Sequence, residues 1–148
     1  MTNNQREDAT VELMVNIDVE HLESAIRFYQ EAVGMRLKRR LFDDTVAELS
    51  GAAAPVFLLQ KAAGSRPSPS VAEARSYRRH WTPVHLDFVV EDLDVALERA
   101  RDAGATVEGD VGSYPWGRIA RLADPFGHGF CLLEFRGRGY GELPTLDD

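Results

Sequence analysis

A single cysteine, Cys131, leaves the chain no disulfide of its own and gives no support for a small secreted scaffold held by crosslinks. No apolar run approaches the ~20 residues needed to cross a bilayer as a helix. Positive charge is also scarce: 17 Lys and Arg face 24 Asp and Glu, a net charge of −7. That sign argues against a nucleic-acid groove or an anionic membrane surface as the main partner. The opening "MTNNQRED" is polar and acidic, unlike a signal peptide, so a cytoplasmic location is the expectation.

What is present suits a soluble globular protein. The hydrophobic share of 44% and charged share of 28% allow a real core. The length fits one domain or two tightly fused half-domains. An internal repeat favours the second arrangement. "MVNIDVEHLESAIRFYQEAVG" (14–34) and "HLDFVVEDLDVALERARDAG" (85–104) align at an offset of 71 residues, with Val19, Glu20, Leu22 and Ala25 matching Val90, Glu91, Leu93 and Ala96. Each reads as a strand and then a helix, because Leu22, Ala25, Ile26, Tyr29, Ala32 and Val33 recur at helical spacing, as do Leu93, Ala96, Leu97, Ala100 and Ala103. Gly34 and Gly104 suit left-handed caps, and Asp92 suits an N-cap.

Strand patterns follow each helix: "MRLKRRL" (35–41), "TVAELS" (45–50) and "PVFLLQ" (55–60), then "ATVEGDV" (105–111), "GRIARLA" (117–123) and "GFCLLEF" (129–135). "FDD" (42–44) and "DPFGHG" (124–129) read as hairpin turns. The expected organisation is an N-terminal tail (1–10), a β-α-β-β-β module (11–60), a linker (61–82), a second such module (83–135) and a poorly packed C-terminal tail (136–148) from which Tyr140 is a candidate to dock.

The repeat, "ESAIRFYQEAVGM", "VHLDFVVEDLDVALERARDAGA" and "WGRIARLADPFGHGFCLLEF" together resemble the vicinal oxygen chelate superfamily over about residues 11–135. That group includes glyoxalases, extradiol dioxygenases and bleomycin-resistance proteins. The resemblance implies an α+β fold in which two β-α-β-β-β modules form a half-open mixed barrel around a cavity, helices outside. It implies metal ligands, where a member uses metal, from the first and last strands of each module; those positions carry Met14, Phe57, His85 and Cys131 here. A divalent site wants three or four His and carboxylate ligands. Only His85 fits, so no metal and no other cofactor is expected.

Strand alternation adds to the cavity list. With Leu13, Val15 and Ile17 under the first helix, Glu12, Met14 and Asn16 turn inward. With Val84, Leu86 and Phe88 under the second, His85 and Asp87 turn inward, ~7 Å apart at Cα. Phe57, Leu59, Cys131 and Leu133 complete the lining. Trp116 is a candidate to stack on a planar ligand and Arg118 to pair with an anion; the alternative is that Trp116 packs a hairpin and Arg118 is solvated. Trp81 and Tyr77 are candidates for a lid or for the interface between modules, while His128 reads as a shape-determining turn residue.

His85, with Asp87 beside it, reads either as an acid–base group or as a polar hook for ligand; a relic of an ancestral metal position is the bland alternative. Two functions follow from the resemblance. One is metal-free binding of a small organic, apolar or aromatic molecule. The other is an enzyme, either a metal-free isomerase, epimerase or lyase or a metal-dependent glyoxalase or dioxygenase relative with unusual ligands. A homodimer, with domain exchange through the long linker, is the expected assembly.

Overall fold

The computed structural model describes residues 10–144. Module one runs β1 (Val15–Val19), α1 (Leu22–Val33), β2 (Arg36–Leu41), β3 (Val46–Ser50) and β4 (Val56–Gln60). Module two runs β5 (Leu86–Val89), α2 (Leu93–Asp102), β6 (Thr106–Tyr114), β7 (Gly117–Ala123) and β8 (Gly129–Phe135). A short 3-10 turn, Gly139–Glu142, follows. The architecture is α+β, with two four-stranded mixed sheets ordered β1-β4-β3-β2 and β5-β8-β7-β6. In each, the first strand pairs parallel with the last, and the other neighbours are antiparallel. The sheets remain separate, a half-open arrangement, with β1 and β2 edging the first sheet and β5 and β6 the second.

Each helix covers one face of its own sheet. Leu22, Ala25, Ile26, Tyr29 and Ala32 of α1 are buried, as are Leu93, Leu97 and Ala100 of α2. Alternation then sorts the strands. Val56, Leu58, Ala47 and Leu49 turn to α1; Leu122, Ala120, Phe130 and Leu132 join the cluster under α2. The intervening residues form what we call the open face of each sheet. Leu13 and Val84 depart from the expected burial: both precede their strands and are 64% and 76% exposed.

The core is continuous through both modules because α1 belongs to both. Phe28 meets Phe126 and Phe130 of module two edge to face, with centroids 6.0 and 6.2 Å apart. Burying such a ring contributes about 1.5–3 kcal/mol. Beside it, the Tyr29 hydroxyl donates to Asp124 Oδ2 at 2.6 Å, a buried contact across 95 residues. Asp124 Oδ1 accepts from the Phe126 and His128 backbone amides at 2.8 Å each, so a 5% exposed carboxylate has three donors. Arg99 of α2 donates to the Glu31 carbonyl at 2.7 Å, placing a cation at the negative end of α1. No helix among the described residues is long and apolar enough to cross a membrane.

Burial, reinforced by the Asp124 charge, holds the Tyr29 phenol well above its ordinary pKa. The folded value lies above the unfolded one, so this contribution to stability is intact below about pH 10 and declines as pH rises toward the folded value. Tyr29→Phe leaves the carboxylate short of a donor and should cost about 1.5–3 kcal/mol in denaturant unfolding at neutral pH. It should also flatten the loss of stability above about pH 10. An unchanged unfolding midpoint would remove this bond from the joint.

Candidate functional site

The free edges of β1 and β5 border a crevice of about 410 Å³ between the modules. Val15, Ile17, Leu86, Phe88 and Phe130 supply apolar surface; Asn16 and Asp18 of β1 and His85 supply polar groups. One wall is the linker. Arg75 Nε donates to Asp18 Oδ2 at 2.6 Å, and the Tyr77 hydroxyl to the Lys61 carbonyl at 2.6 Å. His80 exchanges backbone bonds with Gly127 and Gly129 at 2.9 Å. His128 continues the wall, with Nε2 2.8 Å from the Asp18 carbonyl and Nδ1 3.2 Å from His80 Nε2.

His85 connects this crevice to the open face of the second sheet. Its Nε2 lies 3.2 Å from Asp87 Oδ1, and His85, Asp87 and Cys131 bring their ligand atoms within 4.8 Å of one another. The cause is register: Asp87 stands directly opposite Cys131 on the parallel β5–β8 ladder, and His85 is two residues back on the same face. Burial first, then the Asp87 charge and its hydrogen bond with the thiol, push the Cys131 pKa up to about 11. The thiol is therefore neutral at pH 7. Trp81 closes one end of the face. Its ring centroid is 5.5 Å from that of His85, and it lies against Gly129, where an added Cβ would come within 2.3 Å of the indole.

The donor set departs from what the resemblance implies for a divalent metal. One imidazole, one carboxylate and one neutral thiol come from a single sheet, and Asp87 already bonds both neighbours. A cation would have to displace both contacts and the thiol proton. The aligned stations in module one hold Phe57, which has no donor atom, and Met14, which precedes β1 and is 62% exposed. The residues do not fit the hard His and carboxylate set.

The other expected residues separate into groups. Asn16 and Phe57 stand opposite each other on the open face of the first sheet, and Leu59 follows opposite Asp18. Leu133 lies two residues beyond Cys131, opposite Val89. Glu12, like Met14, is exposed ahead of β1. Two placements correct the sequence reading. Arg118 is on the helix side, bonded to Glu134 and to Asp94 in the first turn of α2. Alternation through the β7–β8 ladder turns it away from Cys131. Trp116 is at the end of the β6–β7 hairpin, stacked on Tyr114 at 5.1 Å and packed on Tyr140 at 5.1 Å. Its ring holds the hairpin and the C-terminal turn together.

Residues that the sequence reading left outside the site now border it. Asp18, Arg75 and the His80–His128 pair line the crevice. Their signal was weak: the basic "RSYRRH" run reads as solvated surface until the linker is seen folded over the "DPFGHG" turn.

This is a two-module α+β protein with a crevice at the module joint and a polar cluster on one sheet. The sequence matches the Glyoxalase-like domain family over residues 14–133, and the chain belongs to that family. It is similar to the anthracycline biosynthesis protein DnrV of Streptomyces peucetius, with 41% identity over 63 residues, 43% of this chain and 22% of that protein. The matches to curated relatives span about a fifth to a third of those proteins' lengths. Among solved structures, the fold is shared with TnmS3, an antibiotic binding protein from Streptomyces sp. CB03234 (TM-score 0.62, 23% identity, 87% of this chain and 98% of that one). It is shared equally with a glyoxalase-related enzyme from Fulvimarina pelagi (TM-score 0.64, 19% identity, 84% and 87%).

A neutral, 4% exposed thiol reacts slowly. Alkylation of Cys131 at pH 7 should be slow in native buffer and should accelerate on denaturation. Asp87→Asn removes the neighbouring charge and should shift the alkylation pH profile downward. Rapid native labelling at pH 7 would contradict a neutral thiol.

Proposed function

We propose that the protein binds a small, planar, apolar or aromatic organic molecule in the crevice between β1 and β5, without a tightly held metal, as a cytoplasmic homodimer. The observation that carries this reading is the crevice itself. Its volume of about 410 Å³ falls within the ~300–1,000 Å³ range of small-molecule sites, and it combines an apolar lining with a few convergent polar groups. Asn16 and His85 are its proposed hooks, and the open faces carrying Phe57, Leu59, Cys131 and Leu133 extend it. The similarity to the anthracycline biosynthesis protein DnrV and the fold shared with the antibiotic binding protein TnmS3 support an antibiotic-like ligand. The assembly reading rests on Leu13, Met14, Val84 and Val89, all more than 60% exposed beside the β1 and β5 edges, where a second copy would cover them.

A second reading has its own observation. The 3.2 Å His85–Asp87 contact is the orientation an acid–base imidazole needs, and it favours a metal-free isomerase, epimerase or lyase on the same ligand. The two readings part at His85→Ala. With a planar aromatic compound selected by thermal stabilisation, pure sequestration predicts a folded variant whose affinity changes by about 0.5–1.5 kcal/mol, one hydrogen bond. Acid–base catalysis predicts similar binding and turnover reduced ~10²–10⁴-fold. A variant that binds and reacts like wild type removes both roles.

The metal-free part of the proposal has a direct check. Elemental analysis of tag-free protein should find well under one equivalent of Ni, Fe, Mn, Zn or Cu. A stoichiometric metal that disappears in His85→Ala would reverse it.

A further inference from the structure

The two sheets carry equivalent rows of side chains across all four strands of their open faces. In the first sheet, register places Asn16, Phe57, Glu48 and Arg39 side by side. In the second it places Asp87, Cys131, Arg121 and Glu108 side by side. The outer two positions of each row hold one acid and one arginine, in opposite order.

The first row neutralises itself. Arg39 Nε meets Glu48 Oε1 at 2.5 Å, and Lys38 meets Oε2 at 3.6 Å. In the second row the same pairing is prevented by the linker. Arg79 Nε donates to Glu108 Oε2 at 3.0 Å and its Nη2 lies 2.5 Å from Oε1, where Trp81 Nε1 also donates at 3.1 Å. Glu108 is thereby turned to the linker. Arg121, its cross-strand neighbour, makes no ion pair or side-chain hydrogen bond among the described residues and is exposed. Its guanidinium lies over Gly109 at a β-bulge, where φ is +77° and an added Cβ would come within 3.3 Å of Nη2. The bulge thus leaves room for a cation on the open face, one strand from Cys131 and two from Asp87.

Resting on the small-molecule reading above, we propose that Arg121 is the specificity residue of the site and that the ligand carries an oxyanion, a carboxylate or an ionised phenol. A planar molecule of two or three fused rings is ~7–10 Å long, enough to reach from the His85 end of the row to Arg121 at the ~4.8 Å spacing of strands. The guanidinium offers a fork of donors that matches a carboxylate, and the engagement of its cross-strand neighbour Glu108 by Arg79 and Trp81 leaves that fork unoccupied among the described residues.

The test compares anthraquinone-2-carboxylate with its neutral carboxamide by calorimetry on the full chain. Wild type should bind the carboxylate about 10- to 100-fold more tightly, the worth of a charge-assisted hydrogen bond. Arg121→Gln should abolish the preference, Arg121→Lys should keep part of it, and Arg101→Gln on the outer face of α2 should keep all of it. Equal binding of the two probes by wild type, or a preference that survives Arg121→Gln, overturns the role of Arg121 and leaves small-molecule binding standing. If wild type binds neither probe, the aromatic-ligand reading falls and this inference falls with it.

Discussion

The bond from Tyr29 to Asp124 is where the two modules become one protein. Each module alone is a helix on a four-stranded sheet, with one face of the sheet left open. The Tyr29 hydroxyl leaves its own module and reaches the β7–β8 turn of the other. Asp124 uses its second oxygen to fold that turn around the Phe126 and His128 amides. A buried carboxylate with fewer donors would cost several kcal/mol, so the turn and the joint stabilise each other. The consequence is positional. With the turn held against α1, His128 reaches the Asp18 carbonyl, and the crevice acquires its wall.

The linker then decides what each face of the second module can do. Arg75 fastens it to β1, the His80 backbone to the "DPFGHG" turn, and Arg79 with Trp81 to Glu108. These contacts close one end of the open face with an indole beside His85. They also draw the acid of the outer strand away from Arg121. A segment that joins modules in sequence therefore shapes both the crevice and the charge of the adjoining face.

Much of this was legible in the sequence. The 71-residue repeat and period-2 strands located all eight strands and both helices to within a few residues, because their apolar faces are long and regular. The meeting of His85, Asp87 and Cys131 followed from alternation plus family alignment. Arg118 and Trp116 were left open between a ligand role and a structural one for a physical reason. Alternation along "GRIARLA" assigns faces only relative to a known neighbour, and the carboxylates that hold Arg118 come from the far strand and from α2. Trp116 turned on Tyr140, whose docking no periodicity reports. Arg121 was missed for a related reason. Its proposed role rests on its having no ion pair among the described residues, and Glu108 is lost to it only once residues 79 and 81 are folded back across the sheet.

The asymmetry between the repeats bears on how such a protein specialises. Two copies of one unit begin with matching rows, and a fold held at the α1 joint tolerates changes on either open face at little cost to the core. Here the outer part of the first row neutralises itself: Phe57 stands at the station of Cys131, and Glu48 is 6% exposed between two cations. The second face carries a neutral thiol, a carboxylate, an imidazole and an arginine along adjacent strands. Under the proposed reading, a molecule with a planar apolar body and a polar edge would lay its body against the apolar lining of the crevice and its edge along the polar row of the second sheet.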